Sequence, residues 1–467
     1  MKRPRHSLRP LILGLLALGS LHTPFPKLHA EDWAQWRGPE FNGSTTEKGL
    51  PSQFSKEAGV LWSAPMSGPS ASTPIILGVL WSAPMSGPSA STPIIFGDRV
   101  FLSSVDKDNQ STHAQCLNRT NGKVRWETKI SDGLRRDERS NYSSPSPVTD
   151  GKIVIFFYGN GDLAAFDLDG KPLWRRNIEQ DYGEFAFQWT FSASPLLFQG
   201  RLYLPVLQRD QPVHNRGKEG AESFLLCMEP ATGKTLWRHV RSTEAQAESR
   251  EAFTTPIPYE VAGKWQIILA GGDMLSAHDP VSGDEIWRWG TWNPTRIGHW
   301  RLVPSPVAGA GLVLACAPKK SPIFAVKPGA GVLDEKALAW TTSDRALSSD
   351  VPTPAFAQGD FFILSDVAKS LSRVAPDGTI KWTVETPGRI KYEASPLVAD
   401  NKVFLVNFNG DVVVVNAQDG TLVHQAAFGT PDDKQVRSMI VASNGLLFLR
   451  TDTMLFCIGK SKDSGAK

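Results

Sequence analysis

The residues with most chemistry to offer are tryptophans and arginines crowded into a few polar stretches. Leu134 to Arg139 holds three arginines and two acids, Tyr182 to Trp189 is aromatic around Glu184, and Trp289 to Arg301 contains Trp292, Arg296, His299 and Trp300. Several stretches end on a cation: Arg139, Arg250, Arg301, Arg389 and Arg437. Rings that stack and guanidiniums that make forked hydrogen bonds recognise a partner without making or breaking bonds. Aromatic residues beside arginine form the composition of protein-interaction hot spots. The candidate binding face is therefore Arg139, Tyr182, Trp189, Trp292, His299, Trp300, Arg301, Arg389 and Arg437, and the expected partner is a protein or peptide. The alternative, that these are ordinary polar loops whose tryptophans cap sheet edges, stays open.

Bond-making chemistry has a thinner basis. The chain has no Gly-x-Ser-x-Gly, no His-Glu-x-x-His and no phosphate-binding loop. Carboxylates such as Asp181, Glu184, Glu251 and Asp344 are plentiful but fall in no catalytic spacing, and His299 and His424 have the setting of packing or surface residues. No catalytic and no metal-ligating residue is assigned. A protein without enzymatic activity is the expectation.

The elements that must position these loops are short strands. Ser143 to Arg176 contains four apolar runs separated by Asp150-Gly151, Gly159-Asn160-Gly161 and Asp169-Gly170, turn residues that accept the positive φ of tight loops. Four strands so joined form an up-and-down antiparallel sheet, too small to bury its own faces. Its neighbours repeat it. A Ser/Thr-Pro opening recurs at Thr92, Ser146, Ser194, Thr255, Ser305, Thr353 and Ser395, and a glycine followed four residues later by tryptophan recurs at Trp126, Trp174, Trp237, Trp287 and Trp382, with Trp340 in a looser copy. Self-similarity at this period, four strands to a unit, predicts an all-β fold, an eight-bladed β-propeller of four-stranded antiparallel blades. The six tryptophans are read as structural anchors between blades.

Blades begin near 91, 144, 193, 254, 304, 352, 394 and 437, and the last has only three strands before a polar tail at 461–467, read as disordered. A Val-Leu-Trp strand near the N-terminus, at 60–62 or 79–81, is expected to complete it and close the ring. These two copies belong to a tandem duplication, residues 59–77 and 78–96, identical except for Leu77 against Phe96. One copy is surplus. The propeller is thus placed at 59–460, preceded by an arm at 31–58 whose Trp33 and Trp36 are expected to plug an apolar groove.

Residues 1–30 join a basic start to the apolar run Leu11 to Leu18 and a small-residue cleavage site, the pattern of a signal peptide and too short to span a membrane. Export to the periplasm or medium is expected, with no membrane span and a monomeric state. Removing the five basic residues of that segment turns the formal charge of +3 into −2. A near-neutral chain has no general pull toward nucleic acid. Cys116, Cys227, Cys316 and Cys457 fall at sites too far apart for the ~7 Å limit of a disulfide and are read as small buried apolar residues, with only a Cys116–Cys457 pair left open.

The Gly-Lys-x-x-Trp closure, as in Ala231-Thr232-Gly233-Lys234-Thr235-Leu236-Trp237, resembles the repeat of the pyrroloquinoline-quinone (PQQ)-like propeller family. That family includes quinoprotein alcohol dehydrogenases and the outer-membrane protein assembly factor BamB. Trp36-Arg37-Gly38-Pro39, Val-Leu-Trp and Asn141 to Pro147 look like an exported branch of it. The resemblance runs over roughly 32–460 and implies a scaffold or interaction role, or alternatively a PQQ- and calcium-dependent alcohol or sugar dehydrogenase. A carbohydrate-binding propeller is the third reading. The dehydrogenases' adjacent cysteines and haem motif are absent from the sequence, so no cofactor is assigned.

Overall fold

The computed structural model describes residues 32–56, 78–85, 87–135, 137, 140–290, 292–318 and 322–459. The signal segment, the first copy of the duplication, the C-terminal tail and Arg139 lie outside the described residues.

Eight antiparallel sheets follow one another around a ring, each wound in the same order from the innermost strand outward. The second blade, Val148–Thr149, Ile153–Phe157, Asp162–Asp167 and Pro172–Asn177, shows the grading from inside to outside. Its middle strands, rich in Ile, Val and Phe, are buried on both faces, whereas the outermost strand alternates exposed and half-buried residues. Each blade buries its two faces against its neighbours, which is why one sheet alone would not hold.

The eighth blade is completed from the other end of the chain. Gly78–Pro84 pairs antiparallel with Met454–Gly459, with Trp81 opposite Cys457. The closing strand therefore comes from the second copy of the duplicated stretch, and the expected closure is present. The ring has no open blade to aggregate through.

Two devices repeat between blades. The first uses tryptophan. Trp174, at the outer edge of the second blade, lies over Gly233 of the third, and its Nε1 donates to Pro230 O at 2.8 Å. Gly233 has φ +71°, and an added Cβ would come within 2.7 Å of the indole; only glycine fits there. The same stacking joins Trp81 to Gly122, Trp126 to Gly170, Trp237 to Gly283, Trp340 to Gly378 and Trp382 to Gly420. Trp237 and Trp382 stack but keep a buried, unpartnered Nε1. At those two seams another side chain has taken the equivalent carbonyl: Tyr203 Oη donates to Pro280 O, and Arg373 Nη1 to Ala417 O. In the seventh blade, His424 replaces tryptophan and packs edge-on against Phe54 of the arm, ring centres 5.1 Å apart.

The second device lines the centre. The Ser/Thr before each proline accepts the backbone N–H of its counterpart in the preceding blade: Thr92 N to Ser146 Oγ, Ser146 N to Ser194 Oγ, and so on through Thr255, Ser305 and Thr353 to Ser395, all at 2.9–3.0 Å. Inner strands face the axis with one edge unpaired, and the hydroxyl supplies the acceptor that edge lacks. The eighth blade has Met439 at this position, and the series stops there.

The arm runs along the ends of the inner strands, at their turns into the second strands. Trp33 bridges to Ile95, Ala34 O accepts from Thr149 N, Gln35 Oε1 accepts from Leu197 N, and Glu47 accepts from Asn444 N and Gly445 N. Trp33 is fully buried. Arg37, also buried, donates to the carbonyls of Pro354 and Asn42, and burial lowers its pKa to about 9. The four cysteines are buried free thiols.

Candidate functional site

The loops between the fourth strand of one blade and the first of the next meet around the axis, opposite the arm. They enclose a cavity of about 150 Å³ whose wall includes Trp189, Thr190, Ser192, Phe253, Arg301, Glu393 and Arg437, with Ser146, Ser194, Thr255, Thr353 and Ser395 of the hydroxyl series deeper in. Trp36 of the arm also lines it. The arm runs at the far end of the inner strands, so Trp36 stops that end of the channel and leaves the loop face as the approach.

The cations in this wall are paired with acids. Arg437 Nε donates to Glu393 Oε2 at 2.9 Å, and its guanidinium lies 4.8 Å from the Phe408 ring centre. Arg301 sits 3.5 Å from Asp350 and 3.8 Å from Glu248, and Trp189 Nε1 donates to Glu248 at 3.3 Å. Asp366 accepts from Asp350 N at 2.9 Å, and burial, with Asp350 and Glu393 nearby, pushes its pKa up to about 7. The funnel wall is therefore an alternating network of acids and guanidiniums around one indole. It can exchange internal pairs for those of an incoming polar chain, and it offers no isolated nucleophile or base.

The structure sorts the candidate binding residues. Trp189, Arg301 and Arg437 come together at the cavity. His299 and Arg389 are exposed, and Trp300 is half-buried with its N–H on Ser249 Oγ. Trp292 is buried against Trp289 and Phe324, away from the cavity. Tyr182, in the short helix Ile178–Tyr182, lies between blades two and three, bonded to Thr235 Oγ1 at 2.8 Å beneath Arg238. The carboxylates are engaged elsewhere: Asp181 with Arg176, Glu184 with Arg216, Asp344 as the cap of Arg345–Leu347, and Glu251 with Arg209 and Gln188 N. Burial raises Glu251 to about 7.

Reasoning from sequence missed Glu248, Asp350 and Glu393, the acids that hold the arginines, and the entry of Trp36 into the channel. It noted the Ser/Thr-Pro repeats only as strand openers. A hydroxyl at one register of every innermost strand was the signal for a lined channel.

A model of the family described as outer membrane protein assembly factor BamB matches residues 55–204 and 328–458, more than half of the chain. The chain belongs to this family of PQQ-like propellers. No curated protein matches it. Among solved structures, it is similar to BamB from Moraxella catarrhalis at 13% identity and a TM-score of 0.55, covering 84% of this chain and 100% of that one. It is also similar to a europium-containing methanol dehydrogenase, at 10% identity and a TM-score of 0.64, over 93% and 99% of the two chains. A quinohemoprotein alcohol dehydrogenase from Comamonas testosteroni gives 12% identity and 0.57 over 93% and 82%. At such identities the likeness is one of fold, and a BamB-type propeller sits equally among scaffolds and enzymes.

The cavity fits a quinone cofactor poorly. Its volume is about half the lower limit of ~300 Å³ usual for small-molecule pockets. Both guanidiniums that could meet a cofactor carboxylate already hold acids. The four cysteines sit in second and third strands, and burial raises each thiol's pKa. His239, His278 and Glu285 each bring one ligand atom within 4.8 Å of the others, away from the funnel. Arg288 holds both oxygens of Glu285, while Ser276 and Gly283 O bond the His278 ring. Among the described residues, no helix is long and apolar enough to cross a membrane.

Proposed function

We propose that this chain is an exported, non-enzymatic propeller that engages a protein or peptide through its loop face. The observation that carries the reading is the convergence of Trp189, Arg301 and Arg437 on a single small cavity open toward the loops. An indole beside guanidiniums in a partly desolvated depression is the usual make-up of an interaction hot spot. A wall of paired charges suits an extended polar chain, because each internal ion pair is exchanged for one across the interface. Membership of the family described as an assembly factor points the same way. PQQ and calcium have no part in this reading.

The test is cross-linking and affinity capture from the native envelope or medium. Wild-type protein is compared with Trp189→Ala and Arg437→Ala, both checked for native melting. One partner retained by wild type and weakened about tenfold or more by each variant supports the proposal. The enzymatic alternative is assayed by supplying PQQ, calcium, a panel of alcohols and aldoses, and a redox dye. Saturable dye reduction that needs protein, cofactor and substrate together overturns the non-enzymatic reading.

A further inference from the structure

The seam between the fourth and fifth blades breaks the rule that the other tryptophan seams obey. Where the preceding blades turn tightly through a glycine, the fifth inserts Lys327 to Ala337 between its third and fourth strands. Gly331–Val332 of this insertion lies parallel to Trp287–Arg288 at the outer edge of the fourth blade, and Leu333 N donates to Arg288 O at 2.8 Å. A chain that follows one local rule almost everywhere abandons it most readily where a site is built.

A cavity of about 470 Å³ opens beside the inserted strand, lined among others by Thr243, Asp273, Met274, Arg288, Arg296 and Leu333. That volume lies within the usual range for a small ligand. Asp273 occupies the two-residue turn between Lys264–Gly271 and Met274–His278, where Gly272 and Asp273 both have the positive φ such turns require. It is 4% exposed. Its Oδ2 accepts from Asn293 Nδ2 at 2.8 Å, while Oδ1 is buried with no hydrogen-bond partner among the described residues. Leaving a buried carboxylate oxygen without a donor is costly, and burial raises this group to about 6.

The rest of the wall limits what could supply that donor. Arg288 is engaged with Glu285 and Arg296 with exposed Glu244, so guanidiniums and carboxylates balance around the opening. A cation would meet the two arginines, and an anion would meet Asp273 and Glu244. A neutral polyhydroxylated molecule, each hydroxyl both donor and acceptor, satisfies both sets. Met274, Leu333 and the exposed Val332 offer apolar surface for its C–H faces.

We propose that this cavity binds a neutral sugar unit, and that the insertion of the fifth blade against the edge of the fourth forms the site. The proposal does not depend on the loop-face reading.

Saturation-transfer difference NMR tests it, using the mature protein with methyl glucoside, galactose, N-acetylglucosamine, maltose and cellobiose beside glucuronate and glucosamine. The expected result is transfer to at least one neutral sugar in preference to its charged counterparts. Asp273→Asn and Arg296→Ala should each weaken titrated binding about tenfold or more, while Trp189→Ala in the funnel leaves it unchanged. If Asp273→Asn disturbs folding, the Arg296→Ala result decides, since that side chain is partly exposed and paired only with an exposed acid. No transfer to any neutral sugar from folded wild-type protein, preference for a charged sugar, or indifference to Arg296→Ala overturns the proposal.

Discussion

The seams between blades two and three and between blades four and five start from the same sequence device, a tryptophan four residues after glycine, and end differently. At the first, Trp174 reaches across, lies on Gly233 and donates to Pro230 O. At the second, Trp287 is fully buried and its Nε1 turns back to Gln266 Oε1 of its own blade at 2.8 Å. The tryptophan is the same. What differs is the next blade's turn: a tight glycine turn gives the ring a flat surface and a carbonyl, whereas the longer insertion of blade five gives neither. The indole then finds an internal partner, and space opens outside it. A repeat residue thus fixes half of a seam, and its neighbour's turn fixes the other half.

The largest effect that would sharpen this contrast is at the regular seam. Trp174→Ala should cost ~3–5 kcal/mol, as truncation of a large aromatic packed between two sheets. Gly233→Ala should also be strongly destabilising, because a Cβ at φ +71° would lie 2.7 Å from the ring it must support. Denaturant unfolding of both variants measures this. If Gly233→Ala is as stable as wild type, the seam does not work by stacking on glycine.

The ease of reading these seams from sequence, against the difficulty of the funnel, has a physical cause. A glycine turn and its tryptophan are four residues apart, so the signal is local and repeats. The funnel pairs are distant: Arg437 meets Glu393 across 44 positions, and the Ser/Thr series links residues 42 to 61 apart. Blade count, closure by the Val-Leu-Trp strand and burial of the cysteines follow from local pattern. The acids that hold Arg301 and Arg437 do not, since charges in loops carry no period. Trp292 shows the limit from the other side. It lies in a polar stretch next to Gly290 and Asn293, yet it packs on Phe324 of the following blade, which no spacing within its own segment reveals.

Titration separates funnel from seam further, because the contact of tryptophan with glycine contains no ionisable group. Asp366 in the funnel wall has a pKa raised to about 7, mainly by burial and then by Asp350 and Glu393. The native state therefore binds this proton more tightly than the unfolded chain, whose aspartates titrate near ~3.9. Its contribution is fully present below that value and is lost as pH rises through about 7. Stability measured from pH 5 to 8 should fall by roughly 2 kcal/mol from this group, and Asp366→Asn should remove most of the slope. An unchanged slope in that variant would place the pH response elsewhere.

Among the stacking seams, a smaller difference tests the carbonyl's role. Trp174→Phe keeps a ring over glycine but leaves Pro230 O without its donor. Trp237→Phe loses an N–H that has no partner, because Tyr203 already donates to Pro280 O. The first should cost about 1 kcal/mol more than the second. Equal costs would mean that the indole hydrogen bond contributes nothing beyond the stacking.

The smallest expected effect comes from converting the irregular seam into a regular one. Replacing residues 328–337 with the turn Pro230 to Lys234 of the third blade gives Trp287 a glycine to lie on. The exchange removes the parallel pairing of Gly331–Val332 and the bond from Leu333 N to Arg288 O. Both inserted strand residues are exposed, Val332 at 83%, so little apolar area leaves the core with them. Shortening the loop recovers only a logarithmic closure entropy, well under 1 kcal/mol for a halving of length. Loss and gain are therefore each small, and the variant should unfold within about 1 kcal/mol of wild type. A loss of several kcal/mol would show that the insertion is a structural clamp on the fourth blade. Near-neutral stability would show that the fold does not need it, which leaves the cavity it encloses as its reason for being there.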